Sequence, residues 1–184
     1  MSPRRSRLAS DGYRGYETRV ALVRVRRSYR RVKIECPDDV YALFEEARTA
    51  DRESLYSLLM DTQNSLVGCE EVARGSLNTV RVKPADIYKG AFLANAAGVI
   101  LAHNHPSGSC EPSDEDIRFT EAIGRAGEML GIPLHDHLVI GESSYTSLRA
   151  RGLFEPTIYD SVVTKGRKSL YASSSYRVPR GDAV

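Results

Sequence analysis

The chain has 184 residues, 41% hydrophobic and 27% charged, which suits one ordinary domain with tails and excludes wholesale disorder. No apolar stretch approaches the ~20 residues of a membrane span, and the longest, residues 91–102, carries Asn95. Cys36, Cys69 and Cys110 are odd in number and widely spaced, against a disulfide framework; with no secretory signal visible, a cytoplasmic location is expected.

The formal net charge of +2 hides an asymmetry. Residues 1–33 hold ten Arg and one Lys against Asp11 and Glu17, residues 34–164 carry a net of −11, and residues 165–184 carry +4. An acidic body therefore has two basic ends. The polar start, residues 1–17, reads as disordered. From Arg19 to Glu35 apolar and basic residues alternate in part, which predicts a strand with one cationic face. Pro37-Asp38-Asp39 opens a helix over about 38–49, with Val40, Leu43, Phe44 and Ala47 on its apolar side.

Two apolar runs, 54–60 and 65–72, joined by Asp61-Thr62-Gln63-Asn64, predict a β-hairpin. An extended piece over 77–83 leads into a helix from Pro84 to about Ala94. Residues 98–102, GVILA, form a short continuous apolar run, as in a buried central strand. Ser113 caps a long helix with Ile117, Phe119, Ile123, Ala126, Met129 and Leu130 on its apolar side, and Gly131 stops it. A strand over 134–141 and a short helix over 144–152 complete the domain. The expected fold is α/β: a three-layer α/β/α domain on a mixed sheet over 37–156, preceded by a basic, partly disordered arm over 1–36 and followed by a basic tail over 157–184.

The chemistry concentrates in residues 101–116, LAHNHPSGSCEPSDED. His103 and His105 are two apart at the end of a strand, so their imidazoles share a face. A loop with two Pro and one Gly turns the chain and brings Ser113 and Asp116 to a helix start. Ser113 with Asp116 resembles a capping box, and Asp116 can also project toward the histidines. Two neutral imidazoles and one carboxylate with a fourth position open make a site that suits catalytic zinc. An H-x-H pair in an apolar stretch is more often structural, and spacing alone does not choose.

His103, His105, Ser113 and Asp116 match H-x-H, seven residues, then S-x-x-D, the signature of the JAMM, or JAB/MPN-type, metalloenzymes. With GSLNTVRVKP, LANAAGVILAHNHPSG, PSDEDI, DHLVIG and YTSLRARGL, the chain resembles the RadC family of JAMM proteins over about 37–156. The resemblance implies one zinc ion on His103, His105 and Asp116, and α/β/α layers related to those of cytidine deaminases. It also implies hydrolysis of an amide or isopeptide bond in a peptide or isopeptide substrate. Glu53 is then the general base, with Glu45, Glu46, Glu70 and Glu71 as rivals, and Ser113 donates to the oxyanion. A carboxylate at the rim of an apolar strand is partly desolvated, which suits a base. RadC proteins usually carry an N-terminal helix-hairpin-helix region where this chain has an Arg-rich arm, and Ala85-Asp86 stands where the family tends to have Arg-Glu.

Other signals carry less. His135 and His137 form a second H-x-H without a following loop and carboxylate, which favours a buried hydrogen-bonded role. The letters H-N-H at 103–105 are too compact for an HNH nuclease, and the H-x-E and P-C-x-x-C of zinc deaminases are missing. Cys110 sits between the ligands in the loop without an evident role. The arm offers Arg clusters and Tyr13, Tyr16 and Tyr29, suited to phosphates and bases of DNA or RNA, or it docks on the chain's own acidic body. No lipidation signal or amphipathic face points to a membrane. The alternative to a zinc hydrolase is thus a nucleic-acid-binding repair or recombination accessory protein that uses the JAMM fold as a scaffold.

Overall fold

The computed structural model describes residues 32–75 and 82–156. The basic arm up to residue 31, most of the extended piece expected over 77–83, and the tail from residue 157 lie outside the described residues, and with them the expected nucleic-acid contact. Among the described residues, no helix is long and apolar enough to cross a membrane.

Strands β1 (Ser54–Met60), β2 (Leu66–Arg74), β3 (Gly98–Asn104), β4 (Leu134–Ile140) and β5 (Tyr145–Ser147) form one mixed sheet in the order β2-β1-β3-β4-β5. Only the β3–β4 pair is parallel. Its crossover is α3 (Asp114–Leu130), as parallel pairing requires. β3 is the central strand and is buried along its whole length, as its unbroken apolar run predicts.

The expected hairpin is present. Asp61 Oδ1 accepts from Gln63 N at 2.7 Å and Ser65 N at 2.9 Å, and Asn64 takes a positive φ of 60°. Ile34, fully buried, joins this end of the sheet: its N–H bonds Asn64 O at 2.9 Å, and Leu66 N bonds Val32 O at 2.8 Å. The packed body therefore includes residues just ahead of Pro37.

Helices cover both faces. α1 (Pro37–Ala42) packs on Leu58, Met60, Ile100, Ala102, Leu138 and Ile140, and α2 (Pro84–Leu93) and α3 pack on Leu55, Leu59, Val99, Leu101 and Val139. Each fully buried Leu or Ile contributes on the order of 2 kcal/mol of transfer free energy. Proline occupies the first turn of α1 and of α2, and Asp86 caps α2 by accepting from Lys83 N at 2.9 Å.

Three expectations are corrected. The single helix over 38–49 is instead α1 followed by a 3₁₀ turn over Glu46–Thr49. Arg48 lies over the Tyr41 ring and donates to Tyr41 O at 3.0 Å, supplying a bond to a carbonyl where the helix ends. The helix expected over 144–152 is strand β5 and a turn. Buried Asp136 accepts from Ser147 Oγ at 2.6 Å and Arg149 N at 3.1 Å, so ladder pairing with β4 prevails over local helix preference. On α3, Met129 and Leu130 belong to no core; Met129 is 88% exposed. The helix has turned away from the sheet before Gly131 ends it in the left-handed conformation at φ 69°.

Gly127 on α3 gives a test with a definite sign. Helix propensity alone favours alanine there by ~1 kcal/mol. A Cβ would, however, overlap the Tyr88 hydroxyl of α2 and lie 2.6 Å from Ile132 O. Gly127→Ala is expected to destabilise the protein by about 1–2 kcal/mol in urea unfolding; a gain in stability would mean that α2 and α3 do not pack this closely.

Candidate metal centre

The end of β3 carries both expected histidines to one point. His103 faces the α2–α3 side with Val99 and Leu101, and His105, two residues on, follows the same parity just past the strand. Their Nε2 atoms are 2.9 Å apart. Asp116, in the first turn of α3, places Oδ1 3.3 Å from His103 Nε2 and Oδ2 3.6 Å from His105 Nε2. Glu53, immediately before β1, brings a carboxylate oxygen within 4.8 Å of both imidazole nitrogens. Glu53, His103, His105 and Asp116 therefore meet, although they come from three separated segments.

The loop between His105 and Ser113 is held at several points. His105 N bonds Ile140 O at 3.2 Å, and Glu142 N bonds Gly108 O at 3.0 Å. Gly108 has φ 76°, and Gly141 lies so near Gly108 O and Cys110 N that a Cβ there would collide. Cys110 lies against Ser144, Sγ to Oγ 3.2 Å, rather than among the converging side chains.

Ser113 is the N-cap of α3. Its Oγ accepts from Asp116 N at 3.1 Å and donates to Asp116 Oδ2 at 2.6 Å, while its own N–H reaches that same oxygen at 2.7 Å. This is a full capping box with Asp in the usual Glu position. Asp116 Oδ2 is thereby anchored to the helix start and Oδ1 is left toward His103. The Ser113 proton points at Asp116 here, so donation to a substrate oxygen requires the hydroxyl to rotate.

Asn104, between the two histidines, carries a role not foreseen from the sequence. It faces the opposite side of β3, accepts from Ser54 N at 2.9 Å and donates to Arg52 O at 3.0 Å. Asn104 thus clamps the backbone on both sides of Glu53. The middle letter of H-N-H was the only signal, and spacing cannot reveal a cross-strand clamp.

The second histidine pair separates. Val99 pairs with Leu134 but Ile100 pairs with Asp136, so His135 is an extra residue in β4. His135 lies over Gly98, where a side chain would collide with its ring. His137 enters the site: its Nε2 is 2.8 Å from His103 Nδ1 and its Nδ1 is 2.6 Å from Thr120 Oγ1. The expected buried, hydrogen-bonded role is filled by His137, which is fully buried, while His135 is half-buried.

Environment separates the titrations. Burial lowers His103 to about 4, the neighbouring His105 adding to this and Asp116 only partly opposing it. Burial also holds His137 well below its ordinary value. His105 is raised, chiefly by its hydrogen bond to Asp116. Burial pushes Asp116 up, but the His105 hydrogen bond, attraction to His103 and the Ser113 bonds outweigh it and hold its carboxyl well below the usual range. A neutral His103 beside an ionised carboxylate suits a divalent cation, whereas His105 would have to release the proton that Asp116 favours.

Comparison with known proteins gives the family. Residues 34–153 match the RadC-like JAB domain. The chain belongs to the RadC family. A UPF0758 protein of Desulforamulus reducens is 44% identical over 124 residues, covering 67% of this chain and 55% of its own length. A UPF0758 protein of Methanosarcina acetivorans is 44% identical over 121 residues, 65% of this chain and 53% of its own. One of Aquifex aeolicus is 42% identical over 123 residues, 67% and 53%. This RadC-family chain spans about half the length of the curated relatives it matches.

The titrations give a stability test for metal-free protein. His103, and with it His137, stays neutral when folded below the pH at which the unfolded chain takes up the proton. Between about pH 6.5 and 5 the unfolded state therefore binds more protons, and stability falls on acidification. His105, raised in the fold, keeps its full contribution below about 6.5 and does not cancel this. Urea unfolding with a chelator present is expected to lose up to about 1.4 kcal/mol per pH unit for each such histidine. A flat profile across that window would contradict the neutral, buried state of these rings.

Proposed function

We propose that this chain is a zinc-dependent hydrolase of the JAMM type, acting on an amide or isopeptide bond of a peptide substrate. The observation that carries the reading is the meeting of two buried or half-buried imidazole nitrogens 2.9 Å apart with the carboxylates of Asp116 and Glu53. Ligands ~2.0–2.1 Å from a tetrahedral zinc lie about 3.4 Å from one another. The His103–Asp116 Oδ1 and His105–Asp116 Oδ2 separations of 3.3 and 3.6 Å lie near that value, the two Nε2 atoms at 2.9 Å stand closer than bound ligands would, and the nitrogen and oxygen donors suit a borderline cation.

In this reading His103, His105 and Asp116 hold the ion. When bound, it would polarise the scissile carbonyl and acidify a water. The chain's own residues do the rest. Glu53, half-buried and clamped from behind by Asn104, accepts a proton from the water and returns it to the leaving amine. Ser113, at the same helix start as Asp116, can turn its hydroxyl to the substrate oxygen as charge develops there. The capping box keeps Asp116 in place during that turn through the Ser113 N–H.

Glu53 and Asp116 exchange roles in the obvious rival arrangement, with Glu53 as ligand, and substitution separates the two. Purified protein is expected to hold one zinc per chain, with His103→Ala and Asp116→Ala losing most of it. Glu53→Gln is expected to retain zinc while turnover on a peptide or isopeptide substrate falls ~100-fold or more. Loss of zinc in Glu53→Gln would make Glu53 a ligand. Wild-type protein that takes up no zinc even after growth with added metal would overturn the hydrolase reading.

A further inference from the structure

We propose that Thr120 and His137 form a directional hydrogen-bond relay that fixes the tautomer of His103, so that its Nε2 presents a bare lone pair to the pocket. The inference rests on the metal reading above for its consequence, but its direction follows from burial and from donor and acceptor accounting: His137, fully buried with only Thr120 and His103 on its ring nitrogens, is neutral. Thr120 Oγ1 is 2.6 Å from Asp116 O and 2.6 Å from His137 Nδ1. A backbone carbonyl only accepts, so the single hydroxyl proton of Thr120 goes to Asp116 O, the i−4 bond common for Thr in helices. The hydroxyl oxygen can then only accept from His137, which must carry its proton on Nδ1.

That leaves Nε2 of the neutral His137 as an acceptor, 2.8 Å from His103 Nδ1. His103 therefore donates from Nδ1 and keeps Nε2 free of a proton. Nε2 is the atom that faces His105 and Asp116. The relay begins at the backbone of Asp116 and ends at the ring beside the Asp116 carboxylate, through three fully buried side chains, Thr120, His137 and His103. Reversing one bond would place two protons, or two lone pairs, against each other at less than 3 Å.

Metal-bound histidines commonly donate their second N–H to a carboxylate, a carbonyl or a water. Here the acceptor is a neutral imidazole, in a pocket that already holds two carboxylates. The arrangement also explains why His137, 2.8 Å from His103, is not a ligand: its acceptor nitrogen is occupied by the His103 N–H, and its other nitrogen points to α3. His137 and Thr120 are positioning residues.

The test is long-range ¹H–¹⁵N spectroscopy of the histidine rings in the full, metal-free chain, together with zinc competition against a chromophoric chelator. Wild-type His103 and His137 are both expected to be protonated at Nδ1 and bare at Nε2. Thr120→Val removes the acceptor for His137 at nearly constant shape. It is expected to mix the tautomers of both rings and to weaken zinc binding about 10–100-fold. Thr120→Ser restores the hydroxyl and is expected to recover both readouts. A wild-type His103 protonated at Nε2 overturns the relay, as does a folded Thr120→Val protein with unchanged tautomers and zinc affinity. Should Thr120→Val fail to fold, the wild-type spectrum decides. Wild-type protein with the expected tautomers but no affinity for zinc supports the relay and overturns the hydrolase reading instead.

Discussion

A fully buried imidazole is the constraint around which this domain is arranged. His103 has no access to water, so each ring nitrogen needs a partner inside the protein. One nitrogen is met by His137 and the other looks at His105 and Asp116. Those partners sit on β4, on the loop after β3 and on α3, so meeting the needs of one ring ties three segments together. The same ties hold the pocket in shape before any ligand arrives, which is what a site of this kind requires.

Sheet order makes the arrangement possible. β3 lies between β1, antiparallel, and β4, parallel. The antiparallel neighbour begins where β3 ends, so Glu53, ahead of β1, sits beside His103 and His105. The parallel neighbour needs a crossover, and α3 supplies it, starting near the carboxyl end of β3 with Ser113 and Asp116. Ligand sites of open α/β sheets lie at such strand ends. The acidic residue at the helix start is doubly favoured there, by the free N–H groups of the first turn and by the imidazoles it faces.

Much of the candidate metal centre was legible in the chain. His103 and His105 share a face because a strand has period two, and Ser113 with Asp116 caps a helix because free N–H groups need acceptors; both rules act within a few residues. Glu53 was legible only through resemblance, since nothing local distinguishes it from Glu45, Glu46, Glu70 or Glu71. Glu70 faces Gly90 of α2 rather than the histidines, a difference made by strand pairing and not by sequence neighbours.

By itself the sequence determined the layered α/β class, the hairpin, the central strand, α2 and α3, because hydrophobic period and capping residues are local signals. Only the tertiary structure decided three things. Residues 145–147 became an edge strand because β4 and the buried Asp136 offered bonds that a short isolated helix could not match. His137, and not His135, joined the site because one extra residue in β4 reversed the parity of the strand. Asn104 became the clamp behind Glu53 because its acceptor and donor find partners fifty residues away, across a strand pair. In each case the deciding partner is distant in sequence, and pairing register, which no local pattern encodes, brings it near.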